Sequence, residues 1–265
     1  FVRMVFATLV FWGIGLLAPK EEVGKRDLWT IFWGALFGLV GAQVSFANAL
    51  LYTSPVNITI IAAMTPLAVM LIAALILKEP VTFKKAAGVL IGASGALLII
   101  FQSSAINTDS SGNWIGNLLC IVNVITYAIY LVITRPISQR YSAITLMKWM
   151  FLFATIASLP FAIPTMAATR WSCITAAQWG GTAYVVIGGT FIAYICVMEG
   201  QKKLRPTIVG MYNYVQPIVA SAIGVVLGMD RFGVSKGIAV ALIFAGVYLV
   251  TISRALPSDS KPSAP

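Results

Sequence analysis

The stretch "NYVQPIVASAIGVVLGMDRFGVSKGIAVALIFAGVYLV" (213–250) echoes an earlier one, "AAMTPLAVM" (62–70) continued by "LILKEPVTFKKAAGVLIGASGALLI" (75–99). Pro55, Pro66, Glu79, Lys85 and Gly95 answer in order to Pro206, Pro217, Asp230, Lys236 and Gly246, each pair 151 positions apart, and Gly38 and Gly189 keep the same offset. A glycine-rich apolar chain supplies one or two such matches by chance. Five ordered matches without a gap point to the duplication of a structural unit.

Composition says what kind of unit it is. Of 265 residues 59% are hydrophobic and 10% charged, with mean hydropathy +0.92, whereas soluble domains carry about 25% charged residues. The fold class expected is an all-α integral membrane protein. A hydrocarbon core about 30 Å thick takes about 20 apolar residues at a helical rise of about 1.5 Å. Nine runs meet that length: 2–18, 28–51, 56–77, 83–101, 114–134, 144–163, 179–200, 207–228 and 234–252. Run 2–18 pairs with run 144–163, "VRMVF" resembling "MKWMF", so the second copy holds five spans and the first copy four. The expected organisation is a first repeat over 1–103, a second over 114–253 and a disordered cytoplasmic tail over 254–265, with a tenth helix expected before Phe1. A unit with an odd number of spans inserts its second copy upside down, the inverted-repeat plan of many secondary transporters.

The formal net charge of +10 does not indicate nucleic acid, which requires a clustered basic face. The basic residues are scattered between spans. With "PKEEVGKRD" (19–27) in the cytoplasm, thirteen of them fall inside and three, Arg170, Arg231 and Lys236, outside, which fixes the orientation by the positive-inside rule. Cys120 and Cys196 lie in spans and Cys173 in a connector, giving no disulfide or metal-ligand spacing. Histidine is absent and the eight acidic residues sit at span ends, in connectors or in the tail. No catalytic set can be assembled from these, and no cofactor or metal is expected.

Polar residues inside spans are then the candidate site. A proline frees the carbonyl four residues earlier, Asn213 for Pro217 and Ala62 for Pro66, and that carbonyl needs a donor at membrane depth. Pro66 alone reads as a structural kink. Around Pro217, Tyr212, Asn213 and Gln216 share a face, which suits a substrate surface, with hydrogen bonding between helices as the alternative. Asn123, Tyr127, Tyr130 and Thr134 form a stripe expected to point inward, with interface anchoring as the alternative for Tyr130 and Thr134 near the cytoplasmic end. Gln43 shares a face with Trp33, Val40 and Ala47, and its partner at the 151 offset is Tyr194. Lys148 reads as a snorkelling lysine, Glu199 as an ion-pair partner of Lys202 or Lys203, and Glu79 and Asp230 as boundary residues. The glycine-bearing runs 83–101 and 234–252 suit packing helices or the contact of a homo-oligomer.

The "TP" of 65–66, the acidic residue closing the span in "LILKEP" and their echo around Pro217 and Asp230 resemble the EamA-type branch of the drug/metabolite transporter superfamily. The likeness covers nearly the whole chain. It implies ten helices in two inverted five-helix repeats, both termini cytoplasmic, in a bacterial-type inner (plasma) membrane, with small metabolites or drugs as cargo. The expected function is a multi-pass secondary transporter working by alternating access on a small-molecule substrate within the lipid bilayer. Few cations line the spans, so neutral or zwitterionic solutes such as amino acids fit better than strongly anionic ones. The absence of a mid-membrane carboxylate favours facilitated diffusion or exchange. A non-transporting structural membrane protein, or a carrier of anionic metabolites in the same superfamily, is the alternative.

Overall fold

The computed structural model describes residues 1–17, 19, 21–53, 55–104, 114–168, 175–226 and 234–253. Asp230, Arg231, Arg170, Cys173 and the tail from 254 onward lie outside them. The described chain forms nine helical rods: α1 (Val2–Gly15), α2 (Lys25–Tyr52), α3 (55–76), α4 (Phe83–Ser104), α5 (Trp114–Ser138), α6 (Ala143–Ala168), α7 (Ala176–Lys203), α8 (206–226) and α9 (Val234–Thr251). They coincide with the nine apolar runs to within a few residues. Six of them, α2, α3, α5, α6, α7 and α9, are long and apolar enough to cross a membrane, and α1 is a shorter apolar helix. Many of their outward side chains are large and apolar, Leu75 and Phe83 being at least 80% exposed, as hydrocarbon solvent requires.

The duplication extends to the fine structure of the helices. In α2 an α-helical start (Lys25–Ala35) passes into a π-helical turn (Leu36–Gly41) and back to α-helix (Ala42–Tyr52). In α7 the same sequence runs Ala176–Val186, Ile187–Ile192 and Ala193–Lys203. Every boundary is displaced by 151. Within the π turn of α7 the Thr190 hydroxyl donates to the Val185 carbonyl five residues back at 2.9 Å. The π turn also changes the face expected for α2. Helical spacing alone groups Gln43 with Trp33, Val40 and Ala47, but Val40 is buried while Trp33 and Ala47 are exposed, because a π turn adds a residue to the ring and rotates the residues beyond it.

Two compact units emerge, Phe1–Gly41 with Ile133–Leu204, and Ala42–Val132 with the chain from Arg205. Each draws on both repeats. In the first, Met4, Ala7 and Phe11 form a buried stripe on α1 that packs on α6. Thr8 and Thr155 share a hydrogen bond of 2.9 Å, Ser158 reaches Met4 Sδ at 3.6 Å, and the Phe11 and Phe151 rings stack at 5.2 Å. Residue numbers rise on α1 as they fall on α6, so the two helices are antiparallel.

In the second unit α4 packs on α9 through glycine. A Cβ at Gly88 would lie 2.7 Å from the Gly246 carbonyl oxygen, and one at Gly95 would lie 2.7 Å from that of Ala239. Only hydrogen fits at such an approach. Under the 151 offset Gly88 corresponds to Ala239 and Gly95 to Gly246, so the two contacts exchange with each other. An antiparallel pair whose contacts exchange in this way is related by a two-fold axis across the helices, the relation an inverted repeat requires. The runs expected to be packing helices therefore pack on one another.

Candidate substrate site

Helix α8 is interrupted where the sequence suggested. It is α-helical over Pro206–Met211, tightens to a 3₁₀ turn at Tyr212–Tyr214 and resumes over Val215–Val226. Helix α3 breaks within two residues of the corresponding place, at Ala63 and Met64, ahead of Pro66. The two copies treat the break differently. In α3 the buried Thr65 hydroxyl donates to the Ala62 carbonyl at 2.6 Å, satisfying the acceptor that Pro66 frees. At the equivalent position α8 has Gln216, whose amide instead donates to Asn213 Oδ1 at 3.4 Å.

Tyr214 orients this segment. Its side chain is 1% exposed, its hydroxyl donates to the Val89 carbonyl on α4 at 3.3 Å, and its ring lies where a Cβ on Gly92 would be. While Tyr214 is held against α4, Tyr212 and Gln216 are exposed and Asn213 is half-buried. Tyr212, Val215, Gln216, Val219 and Ile223, all on α8, line a wide-open and mostly apolar groove of about 520 Å³. On the other side of α8, Gly210 lets Val69 and Pro66 of α3 approach closely.

The other candidates are distributed. Asn123 on α5 donates its amide to the Ala42 carbonyl at 2.7 Å, where α2 leaves its π turn, beside the half-buried Gln43. Tyr127 is half-buried with its ring 5.7 Å from that of Tyr130. Tyr130 and Thr134 are not interface anchors: they are 0% and 2% exposed, and Thr134 donates to Gln201 Oε1 at 3.0 Å. Tyr194 lies in the other compact unit, edge-on to Phe151 at 5.4 Å, so its ring serves aromatic packing there.

Several charged residues that hydropathy reads only as topology markers are buried and bonded. Lys85, fully buried, pairs with Glu79 at 2.6 Å, and the Thr207 hydroxyl donates to the same carboxylate oxygen at 3.3 Å. The equal spacing of Glu79 to Lys85 and of Asp230 to Lys236 is the sequence signal for this pair. Arg205 donates to the Ser253 carbonyl at 2.9 Å at the end of α9, where helix carbonyls lack intrahelical donors. Arg135 donates to the Gln201 carbonyl at 2.6 Å. Lys202 and Glu199 form the expected pair at 2.7 Å. In the connector after α1, Glu21 accepts from the Ser142 N–H and hydroxyl at 3.0 Å. Desolvation raises the pKa of that carboxyl, but the Ser142 N–H, the Thr145 and Ser142 hydroxyls and the charge of Lys202 outweigh it and hold the pKa below the ordinary value.

An all-helical, multi-pass membrane protein built from a duplicated unit is thereby defined. Comparison with known proteins gives the family: the model described as "EamA-like transporter family" matches residues 1–101 and 114–252. The chain belongs to the EamA-like transporter family, and it is a membrane transporter rather than an enzyme. Among curated proteins it is similar to the uncharacterized transporter YetK of Bacillus subtilis (22% identical, 91% of this chain and 72% of that protein). It is also similar to Protein PecM of Dickeya dadantii (24%, covering 90% and 78%) and to the aromatic amino acid exporter YddG of Ancylobacter novellus (22%, covering 91% and 80%). A solved structure titled "Crystal structure of protein" superposes with a TM-score of 0.76 at 20% identity, covering 94% of this chain and 86% of its own. That likeness bears on the fold.

Proposed function

We propose that this transporter moves small polar solutes, neutral or zwitterionic and amino acids among them, by alternating access across the inner (plasma) membrane, with its C-terminus in the cytoplasm. The observation that carries the substrate reading is the interrupted α8, where Asn213, Gln216 and Tyr212 stand beside a groove walled by Val215, Val219 and Ile223. Two amides and a phenol hydrogen-bond a polar solute without demanding a charge, and the aliphatic wall suits an apolar side chain. The similarity to an aromatic amino acid exporter supports that class. The matched internal boundaries of the two copies support a pair of exchangeable states, and the charge asymmetry supports the orientation.

Uptake of radiolabelled amino acids by the full-length protein in proteoliposomes tests the reading. Asn213→Ala and Gln216→Ala are expected to lower uptake while leaving thermal stability near wild type. Variants that lose stability yet transport fully would assign these amides to packing and move the site to Gln43, Asn123 and Tyr127.

A further inference from the structure

We propose that α1 and α6 form a seat for the phosphodiester of an anionic phospholipid, with the Lys148 ammonium as its charged element. Gly15 leaves a notch on α1, and the stem of Lys148 lies against it, its Cδ 3.4 Å from where a Cβ would stand. The ammonium sits 5.6 Å from the centre of the Trp12 ring, and the Trp12 indole N–H donates to the Lys148 carbonyl at 3.2 Å, holding the ring under the cation. Such a contact steadies a cation without neutralising it. The ion pairs among the described residues use Lys85, Arg140 and Lys202, and Glu21 at the same end is engaged by Ser142.

The surroundings identify the occupant. The exposed side chains next to this point are Leu9 and Trp12 of α1 and Leu16 and Leu17 just beyond its end, a face made for hydrocarbon rather than for a polar solute. Aromatic rings continue away from Trp12 through Trp149, Phe153, Phe32 and Trp29, with neighbouring centres 5.3 to 5.9 Å apart. Bands of this kind mark the level of lipid headgroups. Lys148 lies in the second turn of α6 and Gly15 at the end of α1, so the cation stands at the edge of the apolar zone. The adjoining connector is the one the charge asymmetry puts in the cytoplasm, where the leaflet carries anionic lipid. The indole N–H is already used by a backbone carbonyl, so the seat selects charge and not a particular headgroup. This inference stands apart from the choice of solute.

Native mass spectrometry of the purified full-length protein with phosphatidylglycerol or phosphatidylcholine of the same acyl chains tests it. One lysine at a membrane surface is worth about 1 kcal/mol, or about fivefold in affinity. Wild type is expected to retain phosphatidylglycerol about fivefold over phosphatidylcholine, Lys148→Met to lose that preference, and Lys148→Arg to keep it. Equal retention of both lipids by wild type overturns the proposal whether or not the variants fold. So does an undiminished preference in Lys148→Met, or displacement of phosphatidylglycerol by inorganic phosphate at the same concentration, which would assign the seat to a free anion.

Discussion

Breaking the Glu79–Lys85 pair from one side should be far more damaging than removing it from both. The two charges are 2.6 Å apart, with side chains 1% and 4% exposed for Lys85 and Glu79. At an effective dielectric of about 20, charges at that distance attract by roughly 6 kcal/mol, most of which offsets the cost of taking both out of water. Lys85→Met leaves the carboxylate, among the described residues, with the Thr207 hydroxyl at 3.3 Å, and Glu79→Gln leaves a fully buried ammonium without its counter-charge. Each single variant is expected to lose about 3 to 5 kcal/mol, while an apolar or neutral replacement of both residues should cost far less. Thermal unfolding of the purified protein in detergent reads this as a fall on the order of 10 °C for each single variant. The double variant Glu79→Gln/Lys85→Met should recover most of the loss. Single variants within about 1 kcal/mol of wild type, or effects that simply add, would refute the reasoning and leave the pair a passive feature of the helix ends.

Two single contacts give further expected outcomes. Thr65→Val keeps the shape of the side chain but removes the donor to the Ala62 carbonyl, so it should cost about 1 to 3 kcal/mol of stability, measured by the same unfolding experiment; an unchanged midpoint would mean that the carbonyl finds another donor. Glu21 has a depressed folded-state pKa, so its contribution is complete above the unfolded value near 4.5 and is lost as pH falls through the lower folded value. The midpoint of wild type should therefore fall more steeply than that of Glu21→Gln on acidification below about pH 4.5, and parallel curves would sink the assignment.

Hydropathy and the 151 offset made the nine rods, the duplication and the two helix breaks legible, because a membrane helix must be long, apolar and internally hydrogen-bonded. The π turns at Leu36–Gly41 and Ile187–Ile192 were not legible. Nothing in composition distinguishes a five-residue from a four-residue hydrogen-bond step, and the face assigned to Gln43 assumed the latter. Lys85, Arg135 and Arg205 were legible as charges near span ends but not as bonded groups. Their partners, apart from Glu79, are a carbonyl of a distant helix in one case and a helix C-terminus in the other. Tyr130 and Thr134 resembled interfacial residues by position, and only the packing that covers them reveals otherwise.

The two copies differ most tellingly at a single position. In α3 the residue before the proline is Thr65, short enough to reach back to Ala62 and close the break with its own hydroxyl. In α8 the corresponding residue is Gln216, whose longer side chain is exposed and bonds the neighbouring Asn213 amide, at 3.4 Å. The first arrangement consumes its polar group on the backbone and leaves nothing for a solute. The second keeps an amide pair beside a groove, in a segment held from behind by Tyr214. Under the function proposed above, duplicated helices that need a break in both halves but a solute contact in only one would diverge in this way. The residue ahead of each proline therefore decides whether the freed carbonyl is met from within the helix, as by Thr65, or a polar side chain stays exposed, as Gln216 does.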